Sequence, residues 1–317
     1  MKLLITGSSG NVGFILSKYF SQKGIRVVGL DIVKNPIWEG NNNFTFYKAD
    51  VTGIDELRKI FSKENPTHIL HLAYLMKPLH NVIKEYVIDV GGSKNVIIVS
   101  NETTSVKQFI QFSSTSAYGG WPDNRLWIKE TDPLRPGDYR YGINKKKIEE
   151  YINTFNGRKD LKFVIVRLCT IIGPSEYKKG GLVRLIANSP FLIMYGSRHC
   201  DVQFIHEDDL TSLIDLIIKD KDIEGTFNLV PDSYSTVKDL VPDKKFLNLP
   251  LQCMKALTGL LWFLRIARMR PPAIQLSAYG IVADAEKLKK RYNYTFKYTT
   301  LTGFRQVVEE MKKQGKL

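Results

Sequence analysis

The stretch "TGSSGNVG" (residues 6–13) decides the fold. It joins a short apolar run, "KLLIT" (2–6), to Val12, Ile15, Leu16, Tyr19 and Phe20, which recur at helical spacing up to Gly24, a residue suited to closing that helix. Gly7, Gly10 and Gly13 therefore stand as G-x-x-G-x-x-G between a predicted strand and a predicted helix, with Asn11 and Val12 in the same turn. Glycines there permit a tight turn and a close backbone approach to a diphosphate, and the helix start offers unpaired N–H groups and the positive end of its dipole. The triplet alone is weak; its place between strand and helix gives it weight.

Working outward, "RVVGLD" (26–31) reads as a second strand ending on Asp31, eighteen residues after Gly13. A carboxylate there accepts hydrogen bonds from the adenosine ribose and repels a 2′-phosphate, which predicts NAD rather than NADP. "FTFYKAD" (44–50) reads as a third strand that would bring Asp50, with Val51 after it, to the adenine. "IDELRKIF" (54–61) is helical and "HILHLA" (68–73) is a fourth strand ending on Leu72 and Ala73. A helix around 81–100 precedes "QFIQFSS" (108–114), and a helix over 143–152 precedes "KFVIVRL" (162–168). Strands alternating with helices predict the α/β class, a doubly wound parallel sheet built from right-handed crossovers. After Gly173 and Pro174 the alternation breaks. "FIHEDDLTSLIDLIIKD" (204–220) runs from strand into helix, and the chain beyond about 240 is mostly helical.

The 317 residues suit one or two domains. With 43% hydrophobic and 25% charged residues the chain has a soluble globular composition. Cys169, Cys200 and Cys253 are too few and too scattered for a disulfide framework or a metal set, as expected of a reducing, cytoplasmic setting. The opening residues do not read as a signal peptide, and no uncharged apolar run approaches a membrane span. The formal charge of +14 reads as solvated lysine faces or as attraction for an anionic ligand such as a nucleotide diphosphate. Scattered lysines without an aromatic-basic module predict no nucleic-acid partner.

The stretch "YRYGINKKKIEEY" (139–151) carries the chemistry. Tyr141 and Lys145 are four apart and share a helical face. A free tyrosine titrates near 10, so service as a base near neutrality needs a shift of about 3 units, roughly 4 kcal/mol. A unit charge about 4 Å away at an effective dielectric near 20 supplies about that much.

These motifs, together with "KADV" (48–51), "HLA" (71–73), "SSTSAYG" (113–119), "YGINK" (141–145), "RLCTIIGP" (167–174) and "FIHEDDL" (204–210), resemble the extended short-chain dehydrogenase/reductase superfamily, the NAD-dependent epimerase/dehydratase group. The resemblance implies a Rossmann domain over 1–173 and 204–230, interleaved with a smaller, mostly helical substrate domain over 174–203 and 231–317. It implies Tyr141 as base, Lys145 as its partner and Ser114 as the hydroxyl that holds the reacting oxygen. It also implies a bound NAD, a nucleotide-sugar substrate and a homodimer formed through helices near 81–100 and 143–155.

The departures from the family pattern narrow the reaction. Sugar 4,6-dehydratases of the family carry an acid pair where this chain has Thr115 and Ser116, so dehydration is disfavoured, leaving epimerisation or simple oxidation and reduction. The Asn that nucleotide-sugar enzymes place three residues after the Arg matching Arg167 is Thr170 here. Their diphosphate-gripping Arg is Val202, with Arg198 nearby as a substitute, and their Asn in "N-V-x-G-T" is Asp89. Two readings of the reaction stay open: a nucleotide-sugar epimerase or oxidoreductase, and a dehydrogenase of an apolar alcohol such as a steroid or isoprenoid. A non-catalytic NAD-binding regulator is the third, and the intact Ser, Tyr and Lys speak against it. Trp121 and Trp127 line a substrate pocket or pack under a loop. "HEDD" (206–209) reads as an acidic helix start rather than a metal cluster, and His68 and His71 as packing residues. "LQCMKALTGLLWFLRIARMRPP" (251–272) reads as a core or substrate-domain helix, with a lid over an apolar substrate or a helix lying on a membrane surface as alternatives.

Overall fold

Leu3, Leu4 and Ile5 are all fully buried, with no alternation, as a central strand covered on both faces requires. The computed structural model describes residues 1–34, 41–175, 181–195, 200–315 and 317. From its start the chain runs β1 (Lys2–Thr6), α1 (Asn11–Gln22), β2 (Arg26–Asp31), β3 (Phe44–Lys48), α2 (Ile54–Glu64), β4 (His68–His71) and α3 (Val82–Tyr86). A π-helical turn (Val87–Gly91) joins α3 to α4 (Gly92–Glu102), followed by β5 (Gln108–Ser114), α5 (Arg140–Thr154) and β6 (Lys162–Leu168). The remainder is β7 (Thr170–Ile172), α6 (Leu182–Asn188), β8 (Phe191–Tyr195), β9 (Asp201–Val202), β10 (Phe204–His206), α7 (Glu207–Lys219), β11 (Gly225–Leu229), β12 (Ser235–Thr236) and α8 (Val237–Leu240). It ends with β13 (Lys245–Leu249), α9 (Leu251–Phe263), α10 (Pro272–Ala278), α11 (Glu286–Tyr292) and α12 (Thr300–Lys313).

Among the described residues the main sheet has seven strands in the order β11-β6-β5-β4-β1-β2-β3. The pairs β1–β2, β1–β4, β2–β3 and β4–β5 are parallel. Chain order runs outward in both directions from β1, so the reversal falls between β1 and β4. In doubly wound sheets that crevice is where ligands bind. The predicted fold class is the observed one.

The chain divides into two compact units. The first holds Met1–Ser113, Asn144–Val166 and Thr211–Thr226. Its core joins Leu4, Val28, Leu57, Phe61, Ile69, Val96, Phe109, Ile148 and Ile165, and each such side chain contributes roughly 1.5–3 kcal/mol on burial. His71 is part of this interior. Its two ring nitrogens meet Thr6 Oγ1 at 2.7 Å and Ser93 Oγ at 2.8 Å, and burial pushes it down to about 3, so it is a neutral packing residue, as predicted.

Two local predictions differ from the structure. β3 stops at Lys48, where its partner β2 runs out, and Ala49 N–H makes a final bond to Asp31 O. Asp50 lies beyond the strand, and its Oδ1 accepts from the N–H and hydroxyl of Thr52 at 2.9 Å each, a turn that leads into α2. The single helix expected around 81–100 is α3, the π turn and α4. The extra residue of a π turn re-aims its side chains, and here Asp89 and Val90 are buried.

The second unit holds Ser114–Ile143, Arg167–Leu210 and Phe227–Leu317. Phe304, Val307 and Met311 of α12 pack on Ile172, Val183, Ile186 and Phe204, and a reciprocal Thr299–Thr302 box caps that helix. The acidic start of α7 is a structural latch. Asp209 accepts from the Tyr294 hydroxyl and the N–H groups of Lys297 and Tyr298, and Glu207 accepts from Ser175 N–H.

Candidate functional site

In the first unit the glycine turn is set by sterics. Gly7 has φ +71° and its N–H bonds Leu30 O at 2.8 Å. A Cβ on Gly7 would lie 2.7 Å from Ala73 N, and one on Gly13 would lie 2.1 Å from Gly7 O. Both glycines are therefore close-approach positions. Leu72 and Ala73 are held from the other side, each N–H donating to Thr6 Oγ1 at 3.2 Å. The turn and the Leu72–Ala73 segment thus meet where the strand order reverses. Asn11, Val12 and Gly13 open α1, and Gly10 caps it with no side chain to satisfy their N–H groups. Ser8 Oγ and Asn11 Oδ1 are buried without a partner. The orphaned Ser8 hydroxyl, a donor, and the uncapped amides at the start of α1 fit a bound diphosphate.

Asp31 ends β2 and its Oδ2 accepts Ser9 N–H at 3.0 Å, which ties it to that turn. Lys48 is its register partner on β3, and Lys34 follows three residues on; together with Phe44 and Phe46 these lysines line a depression of about 420 Å³. Val51 is buried in the core.

Lys145 is only 3% exposed. Its ammonium donates to Phe112 O at 2.6 Å and lies 3.7 Å from the Tyr74 ring centroid. Burial drives it down to about 7, opposed by the Asp89 and Glu149 carboxylates. The buried Asp89 accepts from Leu75 N–H at 3.0 Å and from the Asn144 amide at 3.1 Å. Burial pushes it up to about 6, against those bonds and Lys145. Asn144, Glu149 and Tyr74 around Lys145 had no place in the sequence expectations, and Asp89 entered only as a departure from the family pattern. Asn144 lies inside the "YGINK" motif, and the π turn that aims Asp89 has no sequence signal.

Because its folded-state pKa is raised, Asp89 is a pH-dependent liability. The destabilisation is absent below its ordinary 3.8, grows as pH rises, and is complete above about 6, where it amounts to about 3 kcal/mol. Asp89→Asn keeps the shape and both hydrogen bonds after an amide flip of Asn144. It is expected to stabilise the protein by about 1–3 kcal/mol at pH 8, with the gain fading as pH falls through that window. Urea unfolding of both proteins across pH measures this; a difference independent of pH contradicts it.

The second unit carries the hydroxyl cluster. Ser114 Oγ accepts from Ser116 N–H at 3.2 Å and from Ser116 Oγ at 2.9 Å. Thr115 is buried and its hydroxyl points to Leu168 O at 3.3 Å. A Cβ on Gly142 would lie 2.9 Å from Ser116 O, so the first turn of α5, which carries Tyr141, sits directly against this segment. The Tyr141 ring lies tilted against that of Tyr139, centroids 5.9 Å apart. Tyr141 and Lys145 are both on α5, one turn apart as predicted. Trp121 packs under its loop, its Nε1 donating to Arg135 O at 2.6 Å, and the Trp127 ring meets that of Tyr234 edge-on. Thr170 is exposed on β7 and Val202 lies on β9. Arg198 lies outside the described residues. Arg167 is buried, donating to the Tyr118 hydroxyl at 2.7 Å and to Glu130 O at 3.0 Å, while Tyr118 bonds Asn228. Arg167 and Tyr118 thus brace the unit's interior.

Comparison with known proteins agrees with this geometry. The sequence model of the "NAD dependent epimerase/dehydratase family" matches residues 3–229. A dTDP-D-glucose 4,6-dehydratase of Dictyostelium discoideum is 24% identical over 281 residues, covering 79% of this chain and 62% of that protein. A UDP-glucuronate 4-epimerase of Thermodesulfobacterium geofontis is 26% identical over 198 residues, covering 58% and 60%. The alignments thus span under two thirds of the length of these relatives. The crystal structure of UDP-glucose 4-epimerase with UDP-glucose from Thermotoga maritima shares the fold, with a TM-score of 0.77, 22% identity and 99% of each chain covered.

Proposed function

This chain belongs to the NAD-dependent epimerase/dehydratase family, and from that premise we propose that it is an NAD-dependent epimerase or oxidoreductase acting on a hydroxyl-bearing carbon of a nucleotide sugar. One observation carries the reading: an ammonium buried in the first unit, one helical turn from Tyr141. A lysine on a solvated helix face has no reason to be buried at the expense of its hydration.

The Gly7–Gly10–Gly13 turn and the start of α1 would hold the diphosphate of NAD, Asp31 the adenosine ribose, and Leu72 and Ala73 would flank it. NAD held there would supply a hydride acceptor for the carbinol carbon. Tyr141 takes the hydroxyl proton as that hydride leaves and gives it back when the carbonyl is reduced. Lys145 favours the tyrosinate through its charge, and the Asp89 and Glu149 carboxylates keep that charge in place against burial. Ser114 holds the reacting oxygen, its own oxygen oriented by Ser116. Dehydration is disfavoured, since Thr115 and Ser116 occupy the acid positions and their hydroxyls are engaged with Leu168 and Ser114.

The substrate class is tested by thermal shift of the NAD-loaded protein with a panel of UDP-, GDP- and dTDP-sugars beside sterols and isoprenoid alcohols. Stabilisation by a nucleotide sugar is expected. Shifts from the apolar alcohols alone establish the rival dehydrogenase, which the exposed apolar surface of α9 favours. Cofactor choice gives a second test. Asp31 repels a 2′-phosphate, while Lys34 and Lys48 beside it attract one. Wild-type protein is expected to prefer NAD by about a hundredfold, and Asp31→Asn to reduce that preference about tenfold or more by titration of both cofactors. A wild-type preference for NADP contradicts the assignment.

A further inference from the structure

Residues 251–272 leave much of their apolar surface in water. The helix α9 buries Thr258, while Leu257, Leu260 and Leu264 are about half exposed and Phe263 is 81% exposed. Of the expected core or substrate-domain helix, the core reading is therefore corrected; α9 is a surface helix of the second unit. The turn after α9 keeps this up: Ile266 is 66% exposed and Met269 about half. The turn is well built. Ile266 N–H bonds Leu261 O at 2.8 Å and Arg265 N–H bonds Trp262 O at 3.0 Å, the double closure of a Schellman turn. Arg265 takes the left-handed position at φ +61° that glycine normally fills, and Ile266, which in such turns packs back on the helix, faces solvent instead. Hydrogen bonds thus hold a cluster of large apolar side chains out in water.

The charges around the cluster identify its partner. Residues 251–272 contain Lys255, Arg265, Arg268 and Arg270 and no acidic residue. Arg265 and Arg268 are exposed beside the apolar side chains. A second copy of this chain is a poor occupant, since two bodies of formal charge +14 would press arginines against arginines. An anionic bilayer surface satisfies both features: the acyl boundary takes the apolar side chains and the headgroups take the arginines. Among the described residues no helix is long and apolar enough to cross a membrane, so the segment lies on the surface.

We propose that the α9–α10 corner, through Leu257, Leu260, Phe263, Leu264, Ile266 and Met269 with Arg265 and Arg268, docks the protein on anionic phospholipid membranes. The full chain is floated with vesicles of phosphatidylcholine mixed with phosphatidylglycerol and with vesicles of phosphatidylcholine alone. Binding to the anionic vesicles is expected, weaker by about tenfold without the anionic lipid and weakened by salt. The variant Phe263→Asp with Ile266→Asp changes only exposed side chains. It is expected to keep its melting temperature and lose about tenfold or more in vesicle binding, and Arg265→Gln with Arg268→Gln to lose binding to a similar degree. Three results overturn the proposal: no binding of wild type to anionic vesicles, undiminished binding by the Asp variant, or a wild-type dimer that dissociates in the Asp variant with no vesicle binding by either.

Discussion

Tyr141→Phe is expected to lower turnover about a thousandfold while leaving the fold and NAD binding intact. The substitution removes one hydroxyl and keeps the ring that packs against Tyr139. It leaves untouched the contacts that begin α5, including Gly142 against Ser116. What is lost is the group that carries the substrate proton, for which the neighbouring hydroxyls of Ser114 and Ser116 are far weaker bases at neutral pH. Steady-state rates give the loss, and NAD titration by protein fluorescence gives the control. Turnover within about twofold of wild type removes Tyr141 from the mechanism.

The second large effect lies in the glycine turn. Gly13→Ala would set a methyl carbon 2.1 Å from Gly7 O, a backbone atom that cannot swing aside. Either α1 shifts or the turn opens, and overpacking of this kind typically costs about 1–3 kcal/mol, occasionally more. The variant is expected to melt at lower temperature and to bind NAD about a hundredfold more weakly, because the part that moves is the turn proposed to hold the diphosphate. Gly24→Ala is the matched control. Gly24 has φ +77° but nothing within 4 Å of its added carbon, so it carries only the cost of a left-handed residue, about 1 kcal/mol, with NAD affinity unchanged. Equal losses of NAD affinity in both variants would mean that Gly13 acts only through general stability.

The features legible in the sequence were those fixed by local chemistry. Gly7 and Gly13 announce themselves because only a missing side chain fits there, and Asp31 because it ends a strand of full length. Tyr141 and Lys145 were legible as a pair because helical spacing is set by the backbone alone. The end of β3 was not, since a strand ends where its neighbour ends, and β2 stops at Asp31. Asp89 was seen only as a departure from a pattern. Its burial and its bond to Asn144 depend on a π turn that no residue type demands. The region 251–272 misled because an apolar run reads as core whichever way it faces, and only the fold shows that Thr258 is inside and Phe263 outside.

The proposed function requires that a hydride leave a sugar carbinol with Tyr141 taking the proton, and that an epimerase return both. The direct measurement mixes NAD-loaded protein with each nucleotide sugar under single-turnover conditions, following reduced-nicotinamide absorbance and identifying the sugar by NMR. The account predicts reduced nicotinamide, transient for an epimerase and lasting for an oxidoreductase, with a sugar altered at one carbon and neither change in Tyr141→Phe. NAD bound with no reduction by any nucleotide sugar would contradict it.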